Sequence, residues 1–204
     1  VKENGQPVTE ADWQDAGKSF DNSYEEVRAV FGNEPSPGLD GDPRLFIIHS
    51  DKLGNVGGYF GDDDGFPTSI NEHSNQGEYF YVSTTGAGDI AGNYYKLTLA
   101  HEFQHMIQST ADPNEDGWMN EGLSTLAQKV AGFQEDSAVD SYLPNLDQSL
   151  WYWGGDSADY GHAFLFMTYL YEQFGGDFIR ALAADPANGL NSIDAVLAQM
   201  GSDR

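Results

Sequence analysis

Two histidines four residues apart, with a glutamate beside the first, make up the segment His101-Glu102-Phe103-Gln104-His105. On an α-helix, positions i and i+4 share a face, so both imidazoles can reach one metal ion. Zinc suits such a pair: it takes histidine nitrogen at about 2.0–2.1 Å and leaves a fourth position for water in catalytic sites. Glu102 stands where it can take a proton from that water, which is the chemistry of metal-assisted peptide hydrolysis. The plainer alternative is a helix with two surface histidines. Against it, Leu99, Phe103, Met106 and Ile107 fall at helical spacing around the pair, so the helix is at least half buried. Histidines on a buried helix need polar partners, and a metal is one.

A catalytic zinc needs a third protein ligand. Glu121, in Trp118-Met119-Asn120-Glu121-Gly122-Leu123, is one candidate; His49, His73 and His162 are the remaining histidines. Between His105 and Glu121 lies Ala111-Asp112-Pro113-Asn114-Glu115-Asp116-Gly117, a cluster of helix breakers. The spacing therefore predicts helix, loop, helix, with Glu121 in the first turn of the second helix. A glutamate there is also favoured by the helix dipole, at roughly 0.3–1 kcal/mol. Asn120 and Asp159 are candidate partners for the outer ring nitrogens of the histidines.

These segments, with Tyr160-Gly161-His162-Ala163-Phe164-Leu165 further on and Gly57-Gly58-Tyr59-Phe60 and Ser74 to Tyr81 upstream, resemble the bacterial gluzincin-type metallopeptidases. They look most like the hyicolysin-type neutral metalloproteases and, more distantly, immune inhibitor A. The resemblance runs from about Arg44 to about Gly175. It implies a zincin-like catalytic domain, Zn²⁺ held by His101, His105 and Glu121, and Glu102 as general base. It also implies a secreted bacterial enzyme acting on a peptide or protein substrate, which would lie along an edge strand of the sheet. Tyr160 matches the tyrosine that such a site uses to stabilise the oxyanion, and His162 competes with it for that role. The chain departs from the pattern in two places: Gln128 stands where related sequences often carry an acid, and His162 where a small residue is expected.

The elements that must position these groups are legible in outline. Thr9-Glu10-Ala11-Asp12 reads as a capping box opening a helix through Trp13, Phe20, Tyr24, Val27 and Phe31, closed by Gly32. Leu45 to His49 reads as a buried strand, Gly57 to Phe60 as a second strand or edge segment, and Glu78 to Thr84 as a strand and the candidate substrate-binding edge. The metal helix is expected over Tyr94–Ser109 and the ligand helix over about Met119–Ala131. A loop-rich stretch follows from Phe133 to Gly155, long enough to suggest function. Its Trp151-Tyr152-Trp153 is a candidate specificity wall or core cap. A helix from Tyr160 to Phe174, closed by Gly175-Gly176, and two short helices complete the chain. Strands early and helices late give an α+β class: a small mixed sheet (about 44–84) packed on the active-site helix, then a mostly helical part (about 94–204), in one domain over 1–204.

Composition narrows the partners. Thirty-three acidic residues against nine basic ones give a net charge of −24, which disfavours nucleic acid. There are no cysteines, so neither disulfides nor thiolate ligands arise. No stretch approaches the roughly 20 apolar residues of a membrane span, and no secretory leader stands at Val1-Lys2-Glu3-Asn4. The acidic loops Asp62-Asp63-Asp64 and Asp112 to Asp116 are candidate Ca²⁺ sites, though neither has the EF-hand pattern. A monomer is the default. The rival readings are a non-catalytic zinc- or calcium-binding module on the same fold and, among enzymes, an aminopeptidase in place of an endopeptidase.

Overall fold

The computed structural model describes residues 7–133 and 136–201. Helix α1 (Glu10–Phe31) starts at the predicted capping box: the Thr9 hydroxyl accepts from the Asp12 amide, and the Asp12 carboxylate accepts from the Thr9 amide at 2.7 Å. Its apolar stripe, Phe20, Val27 and Phe31, is buried. Phe20 and Tyr24 pack on Phe103 with ring centroids 5.6 and 5.0 Å away. Thus the first helix braces the helix that carries the two histidines.

Strands β1 (Phe46–Ser50), β2 (Gly58–Phe60) and β3 (Tyr79–Ser83) form one mixed sheet in the order β1-β3-β2. β1 runs parallel to β3, and β2 antiparallel to it. This corrects two expectations. The strand within Glu78–Thr84 is central, not an edge. Its Phe80 and Val82 point into the core with no exposure, and neighbours hydrogen-bond along both its flanks, so it has no free backbone for an added strand. β1, read as buried, is half-buried along its whole length, because it is an edge with one flank open. The edge beside the histidines is β2.

The acidic loop 61–65 tightens into a single 3-10 turn, Asp62–Gly65. Helix α2 (Asn93–Ala111) contacts β2, β3 and α1. After the predicted loop, α3 (Gly117–Val130) packs on α2. The stretch 133–155 holds a short helix, α4 (Ser137–Tyr142). Helix α5 (Ser157–Ala183) is two helical runs: the first closes at Gly175, as predicted, where φ of 82° with ψ of −178° is non-helical, and a second runs on to Ala183. Helix α6 (Leu190–Gln199) closes the chain. α4 rests directly on α5 at Gly161, where an added Cβ would lie 2.1 Å from the Ala138 carbonyl oxygen. One buried apolar cluster draws on α1, β3, α2, α3, α5 and α6. The α+β expectation of a small mixed sheet followed by a mostly helical half holds. Among the described residues, no helix is long and apolar enough to cross a membrane.

Candidate metal centre

Helix α2 splits its residues by face. Leu99, Phe103, Met106 and Ile107 enter the core, while His101, Glu102 and His105 line an open cleft of about 730 Å³ between β2, α2, α3 and the start of α5. α3 brings Glu121 to the same place. It lies one residue past the first turn, rather than within it, because α3 starts at Gly117. His101 Nε2 is 3.1 Å from Glu121 Oε2 and 3.1 Å from His105 Nε2, and His105 Nε2 is 3.5 Å from the same carboxylate oxygen. Ligands at about 2.0–2.1 Å in a tetrahedron stand roughly 3.3–3.4 Å apart. The three atoms therefore already stand near three corners of a zinc tetrahedron. Among the described residues, no other group of three histidine or acidic side chains comes this close together.

Electrostatics follow from this crowding. Burial pushes the Glu121 carboxyl up, but hydrogen bonds with His101 and His105, and their charge, outweigh it and hold the group well below the ordinary range. Burial pushes His105 down, while Glu121 and Glu102 push it further up. Glu102 is raised, chiefly by burial and against the pull of His101 and His105.

Glu102 is placed by β2. The Phe60 amide donates to its carboxylate, and Gly58 lies so close that an added Cβ would stand 2.6 Å from Glu102 Cγ and 2.7 Å from Oε1. Neither contact is visible in the sequence.

The outer nitrogens of both histidines are partnered by neutral groups. His101 Nδ1 is 3.0 Å from the Gln128 amide, at the position where an acid was expected. His105 Nδ1 is 2.9 Å from the Ser124 hydroxyl, which in turn donates to Gln104 Oε1. Asn120 also hydrogen-bonds His105. Sequence reading missed Ser124 and Gln104. The available signal was polarity at core-facing helical positions, since both are fully buried. Asp159 plays no such part. It closes a capping box with Asp156 at the start of α5 and accepts from the Gly154 amide at 2.9 Å and from Gln148.

Tyr160 lines the cleft and hydrogen-bonds Glu121; burial and that carboxylate raise its hydroxyl pKa well above the ordinary value. His162 lies elsewhere, stacked on Tyr142 at 4.4 Å with its Nδ1 buried and unpartnered, and it does not line the cleft. Of the two candidate oxyanion donors, only Tyr160 is near the candidate metal ligands. His49 pairs with the Tyr95 hydroxyl, and His73 sits on the surface beside Glu72. Trp151 and Tyr152 are exposed, and Trp153 packs edge-on against Tyr160.

Calcium finds no support. The Asp64 carboxylate accepts from the Tyr81 hydroxyl and from the Asn75 amide. Glu115 accepts from the Gly189 amide at 2.8 Å and from the Asp116 amide. Asp64 and Glu115 thus tie their loops to neighbouring segments.

No family model matches the sequence. The chain is 28% identical over 218 aligned positions to the neutral metalloprotease ShpI of Staphylococcus hyicus, an alignment covering 92% of this chain and 48% of that protein. It thus spans about half the length of that relative. With a His-His-Glu cluster of zinc-site dimensions and this sequence relationship, the chain is related to a bacterial metalloprotease.

Proposed function

We propose that this chain is the catalytic domain of a secreted zinc endopeptidase of gluzincin type, and that residues 1–204 make up that domain. The observation carrying the reading is the convergence of His101, His105 and Glu121 at zinc-ligand spacing in an open cleft that the edge strand β2 also lines. The donor set of two imidazoles and one carboxylate fits zinc, leaving one position for water. When bound, the ion supplies Lewis acidity and lowers the pKa of that water toward about 7.

The protein's own groups do the rest. Glu102, held by the Phe60 amide and raised by burial, accepts the proton of the attacking water and passes it to the leaving amine. Tyr160 keeps its hydroxyl proton across the working pH range and donates a hydrogen bond to the developing oxyanion. The free flank of β2 offers backbone groups to an extended peptide, a mode that binds main chain with little demand on sequence.

An internally quenched peptide blocked at both ends tests the reading. Hydrolysis should disappear with 1,10-phenanthroline and return with zinc but not with calcium. Tyr160→Phe should keep zinc and lose about 10²–10³-fold in kcat, the usual cost of an oxyanion donor. A Tyr160→Phe enzyme of full turnover would remove that residue from the mechanism. Cleavage confined to peptides with a free amino terminus would make the enzyme an aminopeptidase.

A further inference from the structure

A buried polar chain runs away from the metal cluster. His105 Nδ1 meets the Ser124 hydroxyl at 2.9 Å, the hydroxyl donates to Gln104 Oε1, and Gln104 Nε2 donates to Gln108 Oε1 at 3.1 Å. Ser124, Gln104 and Gln108 have no solvent exposure, and Gln108 Nε2 has no partner. Such groups cost stability in a core that apolar residues could fill. Nothing in the hydrolytic chemistry above uses them.

The chain has a direction. Gln104 Nε2 is committed to Gln108, so Gln104 faces Ser124 with its carbonyl oxygen. Ser124 has one proton, and it goes to that oxygen. Only a lone pair remains for His105, which must therefore carry its ring proton on Nδ1. Nε2 is then free to bind a metal. Run the other way, the same groups would have Ser124 donate to Nδ1, which puts the ring proton on Nε2 and blocks the ligand.

We propose that Ser124 and Gln104 are positioning residues that fix the metal-binding tautomer of His105 through this directed chain. The proposal rests on the zinc reading of the site. It assigns to neutral groups a task that a carboxylate often performs beside a metal-bound histidine.

The test is zinc affinity by chelator competition on the purified protein, beside Ser124→Ala, Gln104→Leu and Gln104→Glu, with thermal melting on each. Ser124→Ala and Gln104→Leu should weaken zinc binding by about 10–100-fold, the usual effect of losing such a partner. Gln104→Glu should bind zinc at least as tightly as wild type, since a carboxylate still accepts from Ser124. A purely structural role predicts the opposite order: leucine suits a buried site and a buried charge does not, so Gln104→Leu would outperform Gln104→Glu in both melting and zinc affinity. That order, or affinities within about twofold of wild type for Ser124→Ala and Gln104→Leu, overturns the proposal while the peptidase reading stands. Wild-type protein that binds no zinc overturns both.

Discussion

Gly58 illustrates what single residues contribute and how little of it the sequence announces. Its backbone lies against Glu102, the proposed base. Gly58→Ala should push that carboxylate aside. A displacement of about 1 Å costs roughly 10²-fold in rate, so kcat/KM should fall by about that much while zinc content stays at the wild-type value. Unchanged kcat/KM would show that Glu102 does not need this placement. That His101 and His105 share a helix face was legible because i and i+4 on a helix is a local relation. Gly58 and Glu102, like Ser124 and His105, are neighbours only after folding, and a single chain carries no record of such pairs. Asp159 teaches the converse. As a carboxylate it was a candidate partner for a ligand histidine, yet it is spent on the α5 capping box and on the Gly154 amide.

The elements were legible where a strong local signal bounded them. α1 begins at its capping box and ends before Gly32 as the residues predict. α2 and α3 fall within a few residues of expectation, because the intervening Pro113 and Asn114 break the helix. Sheet order was not legible. Tyr79 to Ser83 reads as a strand in any position, and its central place depends on pairing with β1 and β2, which are distant in sequence. The break at Gly175 was legible because glycine readily takes the positive φ that ends a helical run. A prediction at this scale concerns the start of α5, which carries Tyr160. Asp159→Ala removes half of a capping box and the clamp on Gly154, at about 1–2 kcal/mol. For a chain of this length that is a fall of roughly 2–8 °C in Tm, measured by thermal melting. A smaller fall would mean that the Tyr142 and Trp153 packing alone fixes this end of the helix.

Across the molecule, the excess of acid shapes stability. The net charge was plain in the composition, but the roles of individual acids were not. Asp112 to Asp116 suggested a cation loop; in the structure, the loop joins the two ligand helices and is tied to the segment 188–189. Asn114 and Asn188 pair, and Glu115 accepts from the Gly189 amide. Burial raises the Glu115 carboxyl to about 7, above its ordinary value, so the folded state binds this proton more tightly than the unfolded chain. The resulting stabilisation is present below the ordinary carboxyl pKa and is lost as pH rises through about 7. Glu115→Gln, neutral at every pH, should raise Tm at pH 8 and leave it near the wild-type value at pH 4. Equal shifts at both values would show that Glu115 is not the group that titrates.

The central claim is that His101, His105 and Glu121 hold one zinc ion while Glu102 acts as base. Zinc stoichiometry by mass spectrometry, on wild type and Glu102→Gln side by side and with casein hydrolysis measured on both, tests it most directly. The account predicts one zinc per chain in each protein and hydrolysis by the wild type alone. Zinc absent from the wild type, or a Glu102→Gln protein that still hydrolyses casein at the wild-type rate, would contradict it.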